Sequence, residues 1–367
     1  MSETGYNINN LEMESGESTD EKAVVELNGG LEIDTHLPKL KDIEHPLVPE
    51  TSGDYIMREI NGEFDLKLLS FVLADDDFFT MIEGEAGTGK NVSLETLCEA
   101  SNYPRIRVNF SISSSYEKLV GGFTPIETND SEEDTYERSD VVDKVASRLM
   151  SEGIEGERAY SIAESSLTDS SSFKWVDGLL TKAVKYGWLF IADEINAAEP
   201  EALMPFNGLT EKKDNRYLTI EEISETIKPH PRFKLAATRN PVGYAGVTDM
   251  NSALESRAYI INYDYHEKEA LVEILQNETE IVENTSETVA ESLCSLISDI
   301  RKQEQHGQIV TKISSRDAIK IGKLTNIMNI KEASKTVLLG IADPTDETAI
   351  KELINTHKFK ASQRKQI

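Results

Sequence analysis

The residues with the clearest chemical content are Gly84, Glu85, Ala86, Gly87, Thr88, Gly89, Lys90 and Asn91. Glycines at 84 and 89 followed by a lysine make a Gly-x-x-x-x-Gly-Lys pattern. An apolar run from Phe78 to Ile82 feeds into it, and a helical stretch from Val92 to Ala100 leaves it. In that setting the backbone N–H groups of the loop, the positive end of the helix and the Lys90 ammonium form a cradle for phosphate oxygens, with Val92 its last residue. Glycine is needed where a side chain would block the approach. A glycine-rich turn without a ligand is the plainer alternative, and the strand and helix on either side speak against it. Position 91 departs from the pattern. A Ser or Thr hydroxyl there would ligate Mg²⁺, whereas Asn91 offers an amide carbonyl, a hard donor of different geometry. Binding of a nucleotide such as ATP is therefore predicted, and the rate of its turnover is left open.

A second group lies at Asp193 and Glu194, where the apolar run Trp188 to Ala192 ends in two carboxylates. Ligands of open α/β sheets bind at the carboxyl ends of the strands, which is also where a phosphate loop sits. Asp193 is thus a candidate to hold the Mg²⁺ shell with Asn91, and Glu194 to orient or deprotonate an attacking water. Solvated acids capping a strand are the alternative. A third run, Leu235 to Thr238, ends in Arg239-Asn240-Pro241. Asn240 could hydrogen-bond the γ-phosphate or the water, although Asn-Pro by itself is only a turn signal.

These groups need a sheet to position them. Phe78–Ile82, Arg105–Phe110, Trp188–Ala192, Phe233–Ala237 and Tyr259–Ile261 read as short strands separated by helices, which predicts a parallel sheet with helices on both faces. From about His266 the pattern becomes helical only. The expected organisation is an acidic, disordered tail over 1–50, an α/β nucleotide-binding domain over 51–265, a small helical lid over 266–357 and a basic tail over 358–367. Within the α/β domain, 127–172 reads as a polar insertion, partly helical, because Val142, Val145 and Leu149 fall at helical spacing.

The chain has 367 residues, 38% of them hydrophobic, and a formal net charge of −28. No run approaches the roughly 18 apolar residues of a membrane helix, so a soluble, cytoplasmic protein is expected. Cys98 and Cys294 stand far apart and read as buried apolar residues, not as a metal or disulfide framework. The acidity repels the nucleic-acid backbone, which makes DNA or RNA a poor partner. It also fits a salt-rich cytosol, where charge is screened over a few ångströms, although 25 Lys against 13 Arg weighs against halophile adaptation.

Taken together, the motifs resemble the AAA+ superfamily and, within it, the MoxR-like group that includes the CbbQ, NorQ and gas-vesicle GvpN ATPases. The likeness runs from about residue 50 to 355. It rests on the phosphate loop, then Trp175 to Ala183, Gly187 through Asn196, and His230-Pro231-Arg232-Phe233 leading into Asn240-Pro241. The resemblance implies that Asn240 is the first sensor, that Arg316 is the second sensor on the lid, and that Arg257 is a finger reaching a neighbour's nucleotide. On the residues alone, either arginine could be a surface or ion-paired charge. A finger acting in trans implies a homo-oligomeric ring, typically of six. The family further implies Mg-ATP hydrolysis coupled to remodelling or maturation of a client protein, often beside a von Willebrand A domain partner. Ala258 where the family has an aromatic, Glu85-Ala86 where Pro-Pro is common, and Asn91 are departures that bear on turnover and target. A nucleotide-gated scaffold with little hydrolysis, or a nucleic-acid motor supported by the basic carboxyl terminus, are the competing functions.

Overall fold

Five short apolar segments pair side by side in the computed structural model of the chain: Phe79–Gly84, Arg105–Asn109, Leu189–Asp193, Lys234–Arg239 and Ala258–Tyr263. The structure describes residues 18–27, 31–41, 45–51, 54–125, 135–151, 153–167, 172–241, 250, 252–279 and 286–359. Numbered in chain order, the five strands lie 5-1-4-3-2, all parallel. Burial explains their composition. Along Leu189–Asp193 the side chains of Phe190 and Ala192 enter one core and those of Leu189 and Ile191 the other, so the strand is apolar throughout instead of alternating.

The first core is closed by helices Leu179–Tyr186 and Pro200–Leu209, through Leu180, Val184 and Phe206. The second is closed by helices Asp65–Ala74 and Lys90–Ala100, through Leu66, Leu69, Leu94 and Leu97. The expected α/β sheet with helices on both faces is what forms. It is followed by helices Lys268–Glu278, Ser286–Gln305, Ser315–Leu324, Ile330–Ile341 and Glu347–Thr356, which share a third core around Leu275, Leu293, Ile297, Ile321 and Leu338. Cys98 and Cys294 are free, buried thiols in the second and third cores. Among the described residues no helix is long and apolar enough to cross a membrane.

The expectation of a disordered tail over 1–50 is corrected by Ser18–Leu27 and Leu31–Leu40, which pair as an antiparallel hairpin with Val25 opposite Ile33 and Leu27 opposite Leu31. Its alternation is period two: Ala23, Val25, Leu27, Ile33 and Leu37 are buried, while Lys22, Glu26, Glu32 and Asp34 face solvent. The acidic residues that give the segment its polar average are the outer face of a half-buried ribbon. Its inner face packs on Leu66, Leu69 and Leu97, and Leu40 N–H donates to Ser101 O at 3.0 Å. Within the expected tails, 1–17, 28–30, 42–44 and 360–367 lie outside the described residues.

Between the second and third core strands the chain adds a helical pair, Arg138–Ser151 and Gly156–Ser166, joined through Val142, Ala146, Ala159 and Ala163. Strands Gly121–Pro125, Thr135–Glu137 and Ser172–Asp177 form a small antiparallel sheet beneath it. Residues 126–134, 152 and 168–171 of this region lie outside the described ones.

The hairpin's burial generates a direct test. Leu37 is 4% exposed, and we expect Leu37→Ala to lower the free energy of unfolding by about 2–5 kcal/mol, the usual loss for a buried leucine. Urea denaturation reads this, and a midpoint equal to that of the unmodified chain would mean that the ribbon adds nothing to the core.

Candidate functional site

The first core strand ends at Gly84 and the helix Lys90–Ala100 begins six residues later. Gly89 precedes that helix at φ 89° and Gly87 sits at φ 78°, conformations that an L side chain adopts at a cost. Gly87 is also held close: a Cβ there would meet the Ser314 side chain at 2.9 Å. Lys90 is nearly buried and its ammonium donates to the carbonyls of Gly84 and Glu85 and to Asn240 Oδ1, the last two at 3.0 Å. Burial pushes its pKa down to about 8, against the pull of Asp193, Glu194 and Glu85. An anion in the loop would relieve that burial penalty.

Parallel register sets the acids beside the loop. Asp193 pairs with Asn109 on one side, and the fourth core strand on the other side supplies Thr238. Thr238 donates its hydroxyl to Asp193 Oδ1 and accepts the Glu194 N–H at 3.1 Å. Burial would raise the Asp193 pKa, but the Thr238 and Asn91 hydrogen bonds and the Arg107 guanidinium hold it below the usual carboxylate range. Glu194 takes the left-handed backbone at φ 56°, ψ 43°, uncommon for a residue with a side chain, and so turns out of the strand toward the cavity. Asn240 joins the two groups: its Oδ1 accepts from Lys90, and its Nδ2 lies 3.4 Å from Glu194 Oε1.

Asn91 Nδ2 donates to Asp193 Oδ2 at 2.9 Å, while Asn91 Oδ1 is buried and has no hydrogen-bond partner among the described residues. An orphaned amide oxygen next to an ionised carboxylate fits the donor chemistry of a hard divalent cation, with the remaining ligands coming from phosphate and water. Among the described residues no group of three His, Cys, Asp or Glu side chains is arranged for a metal. Arg107, from the strand beside the acid strand, also reaches Asp193 Oδ2, with Nη2 at 2.8 Å and Nε at 3.0 Å.

The loop, Lys90, Asn91, Arg107, both acids and Asn240 line one cavity of about 300 Å³. Its other wall comes from the lid and from the segment before the sheet. Arg316, at the start of the helix Ser315–Leu324, lines it, and that helix is fixed by a reciprocal Ser314–Asp317 capping box. Lys312 pairs with Glu85 at 2.5 Å, tying the lid to the loop. Ile56, Ile274 and Ile319 add apolar lining and Asp54, Asn277 and Glu278 polar groups, a combination suited to a flat base with polar edges. Arg257 is elsewhere. It precedes the fifth strand, whose first residue pairs with Phe79, and so stands at the opposite edge of the sheet, about 20 Å away for six residues of strand. There it pairs with Glu211 at 2.7 Å.

Several residues in or behind the cavity wall escape a reading of the sequence by motif. Thr238 and Arg107 act across strand pairings, and Arg107 left one trace, the alternation Arg105-Ile106-Arg107-Val108-Asn109 that directs polar side chains to one side of a strand. His266 and Arg58 form a pair that only tertiary packing creates. Arg58 lies 2.8 Å from His266 Nε2, and because a guanidinium only donates, that nitrogen accepts and the ring is neutral.

Residues 144–258 match the AAA domain (dynein-related subfamily). The matched stretch contains Asp193, Glu194, Asn240 and Arg257 and stops short of both the phosphate loop and the lid. An uncharacterized protein of Staphylococcus haemolyticus is 28% identical over 276 residues, 75% of this chain and 88% of the relative. One of Staphylococcus saprophyticus is 27% identical over 272 residues, 74% and 87% of the two chains. A crystal structure from Cytophaga hutchinsonii, provisionally described as an ATPase, covers 78% of this chain and 87% of its own at 16% identity and a TM-score of 0.36. The five-stranded parallel sheet and the helical region after it are consistent with an AAA+ core and lid, and the sequence match falls within the core.

The buried polar joints yield two expectations. Thr238→Val keeps the shape but leaves Asp193 Oδ1 and the Glu194 N–H unpaired, and should cost about 1–3 kcal/mol in urea unfolding; no change would mean that water replaces the hydroxyl. Burial, with Arg58 and Arg301 nearby, pushes the His266 pKa down to about 3. The unfolded chain therefore takes up a proton at His266 below about pH 6.5 that the folded chain refuses, and stability falls on acidification by up to about 1.4 kcal/mol per pH unit from this group. His266→Gln should flatten the decline measured between pH 6.5 and 4.5, and an unaltered slope would refute the neutral, buried ring.

Proposed function

We propose that this chain is an ATP-hydrolysing AAA+ remodelling factor of the MoxR-like kind, coupling turnover to the maturation or assembly of a protein client. The observation that carries the reading is the convergence on one cavity of the phosphate loop, both acids, Asn240 and Arg316 of the lid. In this reading the amides of residues 86–90 hold the phosphates. Lys90 exchanges its carbonyl acceptors for outer phosphate oxygens, and Arg316 reaches them from the lid. Asn91 Oδ1 and Asp193 would hold Mg²⁺, which would supply positive charge to the outer phosphates. Glu194 accepts the proton of the attacking water as the water oxygen bonds to the γ-phosphorus and the bond to the β–γ bridging oxygen breaks. Asn240, already between Lys90 and Glu194, orients water and phosphate. Arg257 serves the next subunit of a homo-oligomeric, hexameric ring; its place on the sheet edge away from its own cavity supports a role in trans.

The net charge of −28 supports a protein client, with a von Willebrand A domain partner as in the resembling group, over nucleic acid. A second reading, a nucleotide-gated scaffold with little turnover, is favoured by one observation: Asp193 Oδ2 is engaged by the Asn91 amide and by Arg107.

The test is ATP hydrolysis with Mg²⁺ from low to molar salt, beside nucleotide binding. Glu194→Gln should lower kcat by about 10²- to 10⁴-fold, the usual worth of a positioned base, with ATP affinity retained. Lys90→Ala should lose binding. Binding without turnover in the unmodified chain at every salt concentration would leave the scaffold, and no binding at all would sink both readings.

A further inference from the structure

Both oxygens of Asp193 are engaged. Oδ1 takes the Thr238 hydroxyl, and Oδ2 takes Asn91 Nδ2 at 2.9 Å and two nitrogens of Arg107 at 2.8 and 3.0 Å. The Asp193 side chain is 8% exposed and that of Arg107 36%, so the guanidinium lies on the cavity wall with part of its surface open. It is held there from behind. Glu95, one turn after Asn91 on the same helix, lies 3.5 Å from Arg107 Nη1 and 2.9 Å from Arg105 Nη2. A full positive charge is thus built in at the oxygen that a divalent cation needs. Asn91 completes the arrangement by turning its donor to the carboxylate and leaving its own oxygen orphaned.

We propose that Arg107 is the resident counter-cation of the nucleotide site and competes with the divalent metal for Asp193. The proposal rests on the reading of the cavity as a nucleotide site. With Lys90 and Arg316, Arg107 gives the cavity three cationic side chains among the carboxylates that also line it, so a triphosphate meets fixed positive charge before any metal arrives. Asn91 Oδ1 and Asp193 Oδ2 would hold the cation only if Arg107 left Oδ2, and a phosphate oxygen would offer its fork equivalent bonds. Binding and metal loading become separate steps, and Arg107 sets the balance between them.

The experiment measures the ATP dissociation constant of the full-length chain by calorimetry in EDTA and in Mg²⁺, and Mn²⁺ binding in the presence of ATP by electron paramagnetic resonance. In the unmodified chain, removing metal should weaken ATP binding by less than about tenfold, because fixed charge-assisted bonds replace the metal's share. Arg107→Gln should weaken metal-free binding by about tenfold or more while tightening Mn²⁺, as expected when a competing cation is removed. Arg107→Lys, which keeps the charge without the fork, should recover part of the metal-free affinity and stands in where the Gln variant fails to fold. A loss of tenfold or more on chelation in the unmodified chain would overturn the proposal, as would metal-free binding unchanged in Arg107→Gln or a Lys variant no better than Gln. Those results leave the nucleotide site standing. Absence of ATP binding with and without metal would remove the site reading and this inference with it.

Discussion

The ionised Asp193 carboxylate, nearly buried at the carboxyl edge of the sheet, is the joint on which the site depends. Four elements meet at its two oxygens: its own strand, the neighbouring strand through Thr238, the opposite neighbour through Arg107, and the phosphate-loop helix through Asn91. A buried charge is stable only when it is fully paired, so each partner is fixed by the cost of leaving the carboxylate short. The same joint orders the acid that follows. Thr238 holds the Glu194 N–H, and the left-handed turn at Glu194 swings its side chain from the strand line into the cavity.

The lid is registered against this platform by a polar contact and a steric one. Lys312 pairs with Glu85 and so tethers the lid to the loop. Ser314, the cap of the helix that begins with Ser315 and Arg316, lies over Gly87. Loop conformation and lid placement are therefore one geometric problem, solved by a glycine on one side and a helix cap on the other.

Much of this could be read in the sequence because it is local. The five core strands are short apolar runs, both acids and Asn240 stand at strand ends, and the loop has its helix directly behind it. What could not be read is set by pairing between segments. Arg107 finds Asp193 only because Asp193 pairs opposite Asn109, two residues further along the same strand. The neutral His266 depends on Arg58, more than two hundred residues away. The amino-terminal hairpin was hidden for a different reason. Its outward acids dominate the composition, and the alternation of Ala23, Val25 and Leu27 becomes informative only against Ile33 and Leu37 across the ribbon.

The space between Gly87 and Ser314 has a mechanical consequence. A single methyl group added to the loop would come within 2.9 Å of the serine side chain, so loop and lid already stand at van der Waals distance. The lid has less than a side chain's width of inward travel at that point. Any displacement of the loop by an occupant must push the capped helix outward or slide it sideways, and the carbon atom that Gly87 lacks is the tolerance to which this bearing is machined.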